Sequence, residues 1–154
     1  MNGINNKIFI DSSIFIENFK GNTTAKEILE VAVDKFDVCI NSIVFSEVLF
    51  KLMVLKSGKS ILTIKSKNLI SSLIKELKNY SELLLLFKVL EENKEILNIS
   101  LRFIEKYNLL TNDALILATC KYYGIDKIVS LDNDFEKATV SENIKLIRSV
   151  NDLK

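Results

Sequence analysis

LLTNDALILATCKYYGIDKIVSLDNDF, residues 109–135, is the stretch from which the fold is read. Thr111 or Asn112 is placed to cap a helix, which leaves Asp113 in its first turn. There the free backbone N–H groups and the macrodipole favour a negative charge. Ala114 to Cys120 is almost wholly apolar, so this helix should be buried on more than one face. Lys121 suits the last turn, and Gly124 supplies the left-handed stop. Lys127 to Leu131 then reads as a strand with Asp132-Asn133-Asp134 at its carboxyl end. In an open α/β sheet that is the end at which ligands bind.

Working outward, Lys7-Ile8-Phe9-Ile10 is a β-rich apolar run that ends in Asp11. Ser12 or Ser13 caps a helix to about Phe19, and Thr23 or Thr24 caps another to about Asp34, with Glu27 spaced for a capping box. Phe36 to Ile40 is the next strand. Asn41-Ser42 caps a helix from Ile43 to about Lys56, on which Glu47 shares a face with apolar residues. Ser60 to Asn79 and Ser81 to Glu95 read as further helices, Asn98-Ile99-Ser100 as a break, and Ser100 to Tyr107 as a short helix. Glu136 to Asn143 reads as a polar connection before a last edge strand, Ile144 to Arg148. Strands alternate with helices, which predicts a three-layer α/β fold. Its central parallel sheet of four to five strands would be flanked by helices, in a single domain spanning 1–154 with a helical insert at about 60–98.

Composition narrows the chemistry. With no histidine, Ser–His and Cys–His nucleophilic systems are excluded, as is a histidine-ligated zinc site. Neither a GxxxxGK[ST] loop nor a GxGxxG turn is present. Cys39 and Cys120 read as two small buried thiols. No uncharged apolar run reaches the roughly 18 residues of a membrane span, and the N-terminus lacks the apolar core of a signal peptide, so the expected location is the cytoplasm. The net charge of +1 implies no partner by itself, but no acid stands between Glu47 and Glu76 while Lys51, Lys56, Lys59, Lys65, Lys67 and Lys75 do. That row is either a solvated face or a ridge that tracks phosphates. The run Leu83 to Phe87 is apolar enough to suggest contact with a second copy of the chain, a homodimer.

What remains in quantity is carboxylate, which suits hard cations such as Mg²⁺ or Mn²⁺. Asp11 and Asp132 with Asp134 follow strands, Asp113 opens a helix, and Glu47 joins them from an apolar face. Each alone has an ordinary explanation as a cap or turn residue. Together, acids at one sheet end would repel unless cations neutralise them.

The order of KIFIDSSIFIENF, INSIVFSEVLF and LLTNDALILATCKYYGIDKIVSLDNDF resembles the PIN domain family, including its VapC-like toxin nucleases. The resemblance implies a metal-dependent endoribonuclease that hydrolyses RNA phosphodiester bonds by metal-activated water. It implies metal-binding, catalytic acids at Asp11, Glu47, Asp113 and Asp132, with Asp134 supporting metal or water and Ser12 and Ser130 orienting carboxylates. If the lysine row is a phosphate-tracking ridge, RNA would be held by Lys51, Lys56 and Lys59, and the resemblance allows a small antitoxin protein as partner. The alternative is the same fold serving as a catalytically idle module that binds RNA or protein. A receiver or aspartyl phosphatase fits less well, because Ile10 and Ser13 stand where those chemistries require acids.

Overall fold

The computed structural model describes residues 5–154. Its five strands are β1 (Lys7–Ile10), β2 (Asp37–Asn41), β3 (Lys88–Leu90), β4 (Lys127–Val129) and β5 (Lys145–Ile147), all parallel, in the order β3-β2-β1-β4-β5. Ile8, Phe9 and Ile10 are fully buried, as a central parallel strand covered on both faces requires. Two helices, α1 (Ser12–Phe19) and α2 (Thr23–Lys35), carry the chain from β1 to β2. Four more follow: α3 (Ser42–Ser57), α4 (Ile61–Ser66), α5 (Ile70–Glu76) and α6 (Lys78–Leu86). Then α7 (Lys94–Tyr107) and α8 (Thr111–Tyr122) bring the chain back across the sheet to β4, and α9 (Glu136–Ser141) leads to β5.

The chain therefore builds outward from β1 in one direction, then returns and builds in the other. That reversal opens a crevice between the carboxyl ends of β1 and β4. The ladder extends slightly past both strands, with the Asp11 N–H donating to the Val129 carbonyl at 2.9 Å and the Ser130 N–H to the Ile147 carbonyl at 3.1 Å.

Several elements differ from the pattern reading, each for a local reason. The expected helix from Ser60 to Asn79 is divided at Asn68, whose φ of 55° ends α4 in the left-handed region that asparagine tolerates. The expected helix from Ser81 to Glu95 stops at Leu86, because Lys88 to Leu90 pairs with β2 as an edge strand. Asn98-Ile99-Ser100 is no break but the middle of α7. Asn93 caps that helix, and Ile96, Ile99, Phe103 and Tyr107 form its buried stripe. Asn22, rather than a Thr24–Glu27 box, caps α2, and α8 follows Leu110 without a side-chain cap. Residues 136–141 form α9 where a polar connection is expected, with Ala138 and Thr139 facing the core. Cys39 and Cys120 are buried free thiols, both held above the ordinary thiol range by burial first of all.

One buried side chain joins the elements that matter most for the crevice. The fully buried Asn41 caps α3 by accepting the Val44 N–H at 3.1 Å, and its amide donates to Thr119 Oγ1 at 3.0 Å inside α8. Thr119 in turn donates to the Leu115 carbonyl at 2.7 Å. Asn41→Ala removes the cap and strands buried polar groups, a combined cost of roughly 2–4 kcal/mol. Urea unfolding of that variant should show a lowered midpoint with an unchanged slope.

Candidate metal centre

Asp11 leaves β1 in extended conformation (φ −72°, ψ 156°) and caps α1 with its own side chain, so it rather than either serine starts that helix. Only 4% exposed, its carboxylate accepts the Ser130 hydroxyl at 2.8 Å and the Ser13 N–H at 3.4 Å. Ser130 Oγ also accepts the Asp132 N–H at 3.0 Å, and Ser13 Oγ accepts the Leu131 N–H at 3.1 Å. The two hydroxyls lie 3.3 Å apart. Serines thus stitch the end of β1 to the end of β4. Ser12 is buried beside Asp11 and reaches it through its backbone N–H. Among the described residues, the hydroxyls that order this corner belong to Ser13 and Ser130. The Asp-Ser-Ser sequence at a helix start was the signal for Ser13, since an N-cap acid accepts from the residue two positions on.

Asp113 sits in the first turn of α8, partly buried, and Asp132 caps a short 3₁₀ turn at Asn133–Phe135 by accepting the Asp134 N–H at 2.9 Å. One carboxylate oxygen each from Asp113, Asp132 and Asp134 lies within 4.8 Å of the other two. Glu47 approaches from α3, and its Oε1 is buried with no hydrogen-bond partner among the described residues. It lines a cleft with Ser46, Phe50, Lys51 and Asn112. Asn112, which the pattern reading considered only as a cap, faces that carboxylate and favours its charged form. Of the three lysines singled out for RNA, Lys51 lines this cleft, Lys56 is 3.7 Å from Glu76 in an exposed ion pair, and Lys59 is exposed just past the end of α3.

The electrostatics follow from this crowding. Asp113 is pushed up to about 7, by burial first and then by the charges of Asp132, Asp11, Glu47 and Asp134. Burial raises Glu47, the Asp11 charge adds to it, and Asn112 and Lys51 oppose it. Burial also raises Asp11, against the hydrogen bonds from Ser130 and Ser13. Among the described residues none of these five acids is in an ion pair. Oxygen-only donors, mutual repulsion, no paired cation and an orphaned buried carboxylate oxygen together fit a divalent ion such as Mg²⁺ or Mn²⁺.

The raised Asp113 has a definite sign. Its folded value of about 7 lies above the ordinary 3.8, so the folded chain holds a proton that the unfolded chain has already lost. Stability of the metal-free protein should therefore fall as pH rises from about 4 through 7. Melting temperatures across that range in chelator should show this decline, and Asp113→Asn should flatten it. A residue that merely satisfied the dipole of α8 would instead lose about 0.3–1 kcal/mol on neutralisation.

Comparison with known proteins gives a consistent result. The model of the PIN domain family matches residues 8–140. Ribonuclease VapC6 of Methanocaldococcus jannaschii is 40% identical over 147 residues, covering 90% of this chain and 96% of that protein. Ribonuclease VapC2 of the same organism is 42% identical over 144 residues, covering 92% and 95%. Among solved structures, a toxin–antitoxin complex from Klebsiella pneumoniae has a TM-score of 0.64 at 20% identity, over 92% of this chain and 96% of that one. VapBC2 from Rickettsia felis, bound to a DNA fragment from its promoter, has a TM-score of 0.57 at 16% identity, over 92% and 97%. At those identities the structural likeness speaks for the fold alone.

Proposed function

The chain belongs to the PIN domain family, and on that footing we propose that it is a divalent-metal-dependent endoribonuclease, the toxin of a toxin–antitoxin pair. The observation that carries the reading is the meeting of Asp113, Asp132 and Asp134 within 4.8 Å, with no ion pair to them among the described residues. Asp11, Glu47, Asp113 and Asp132 would hold Mg²⁺ or Mn²⁺, with Asp134 supporting. A divalent ion there supplies Lewis-acid polarisation of the phosphoryl group, acidification of water and neutralisation of the leaving oxygen.

The chain's own residues do the rest. Ser130 and the Ser13 N–H fix the Asp11 carboxylate. Glu47 Oε1 presents an acceptor with no hydrogen-bond partner among the described residues. Asp113 holds a proton near neutrality and yields it as the site is loaded, so loading should improve as pH rises through about 7. Lys51, on the wall beside Glu47, is placed to meet a backbone phosphate of the RNA strand.

Cleavage of single-stranded RNA by the purified chain should require Mg²⁺ or Mn²⁺ and stop in chelator. Asp113→Asn or Asp132→Asn should each lower the rate by at least about 100-fold, roughly 2.7 kcal/mol of transition-state stabilisation. RNA binding with no cleavage under any of these metals would instead make the chain an idle binding module. Lys51→Gln should reduce the slope of log affinity against log salt by about 0.7.

A small antitoxin is the partner that the toxin reading implies, in keeping with a solved toxin–antitoxin complex of like fold, and the cytoplasm is the location we assign. No helix among the described residues is long and apolar enough to cross a membrane. Self-association is proposed through α6 and β3, where Leu85 is 62%, Leu86 82% and Val89 44% exposed. Sedimentation should show a dimer that Leu86→Glu converts to monomer.

A further inference from the structure

Arg148 follows β5 and lies outside every element that carries an acid of the centre. Its backbone is held by the last turn of the described chain. Asp152 Oδ2 accepts the Arg148 N–H at 2.9 Å, the Ser149 N–H at 2.9 Å and the Ser149 hydroxyl at 3.0 Å. Leu153, one residue on, is buried and anchors that turn in the core. From this fixed base the guanidinium forks back towards the sheet end. Nη1 donates to Glu136 Oε1 at 2.8 Å and Nη2 to the backbone carbonyl of Asp132 at 3.3 Å, while Nε is buried without a partner.

Those two acceptors bracket residues 132–136. Two of the clustered carboxylates, Asp132 and Asp134, lie within that limb, which is otherwise tied inward by the Asp132 N–H to Ser130 and by the Asp134 N–H to Asp132. We propose that Arg148 is a positioning residue that holds the Asp132–Asp134 limb against Asp113 and so sets the affinity of the centre for a divalent cation. The inference rests on the metal reading above, and it has a sign that simple charge does not share. A cation beside an acidic site weakens binding of another cation, so neutralising Arg148 should tighten metal binding if charge were its only role. If the fork holds the limb in place, neutralising it should loosen binding, because residues that orient metal ligands control affinity by about 10–100-fold. Lysine keeps the charge but not the planar two-pronged donor.

The test is Mn²⁺ binding to the metal-free full chain, read from the loss of the free-Mn²⁺ paramagnetic resonance signal, with no RNA present. Arg148→Met should weaken binding by about tenfold, and Arg148→Lys should weaken it by a smaller factor. Ser149→Ala, which removes one of the donors that hold the Asp152 carboxylate under the Arg148 N–H, should weaken it slightly. If Arg148→Met fails to fold, the charge-retaining Arg148→Lys decides, since a charge-only role leaves its affinity at the wild-type value. A lower metal-free melting temperature with unchanged or tighter Mn²⁺ binding makes Arg148 a purely structural ion-pair residue and overturns the proposal. Absence of saturable Mn²⁺ binding to the wild-type chain overturns the metal reading itself, and this inference with it.

Discussion

Asp11 is 4% exposed, and a carboxylate so far from water is tolerable only where hydrogen bonds or cations compensate it. Its partners come from two places in the chain, the Ser13 N–H just after it and the Ser130 hydroxyl 119 residues later. Satisfying Asp11 therefore requires β1 and β4 to end side by side. That adjacency is the reversal point of the sheet, and it delivers Asp132 and Asp134 to the same place. The helices that bring Glu47 and Asp113 then have little freedom in where they start.

The hydrogen bonds on Asp11 are not enough to make the corner comfortable. Burial still outweighs them there, and the surplus of negative charge shows in Asp113, held near 7 in a helix turn that would ordinarily welcome an ionised acid. Structural acids are normally paired with basic side chains, as Glu142 is with Lys106 and Lys121 on the far side of α8. The contrast is between a scaffold contact and the proposed metal centre. The unpaired cluster costs stability, as the proposed metal centre would lead one to expect.

Much of this was legible in the sequence because the informative signals were local. An acid directly after an apolar run, or in the first turn of a helix, announces itself within a few residues, and Asp11, Asp113 and Asp132 were all of that kind. Glu47 was visible as a charge on an apolar helix face. The three-residue β3 was not legible. Leu83 to Leu90 is apolar except for Lys88, its period suits either a helix or a strand, and only pairing with β2 decides. Arg148 was invisible for a different reason, since its acceptors lie 12 and 16 residues away and no motif links a cation after an edge strand to a carbonyl beyond another. Ser12 and Ser13 could not be ranked from sequence, because either can start a helix; in the structure Asp11 is the cap, and the hydroxyl that reaches β4 is that of Ser13.

The amide of Asn41 leaves a consequence for how such a centre can be turned off. It is wedged between the start of α3 and the interior of α8, the helices that bear Glu47 and Asp113. Opening either helix alone strands one of the buried polar atoms of Asn41, so the shared side chain couples the opening of α3 to that of α8. The acids are held together by the same event that folds the chain. A partner that covered this centre would leave the Asn41 contacts intact, whereas one that levered Glu47 away from Asp113 would have to break them.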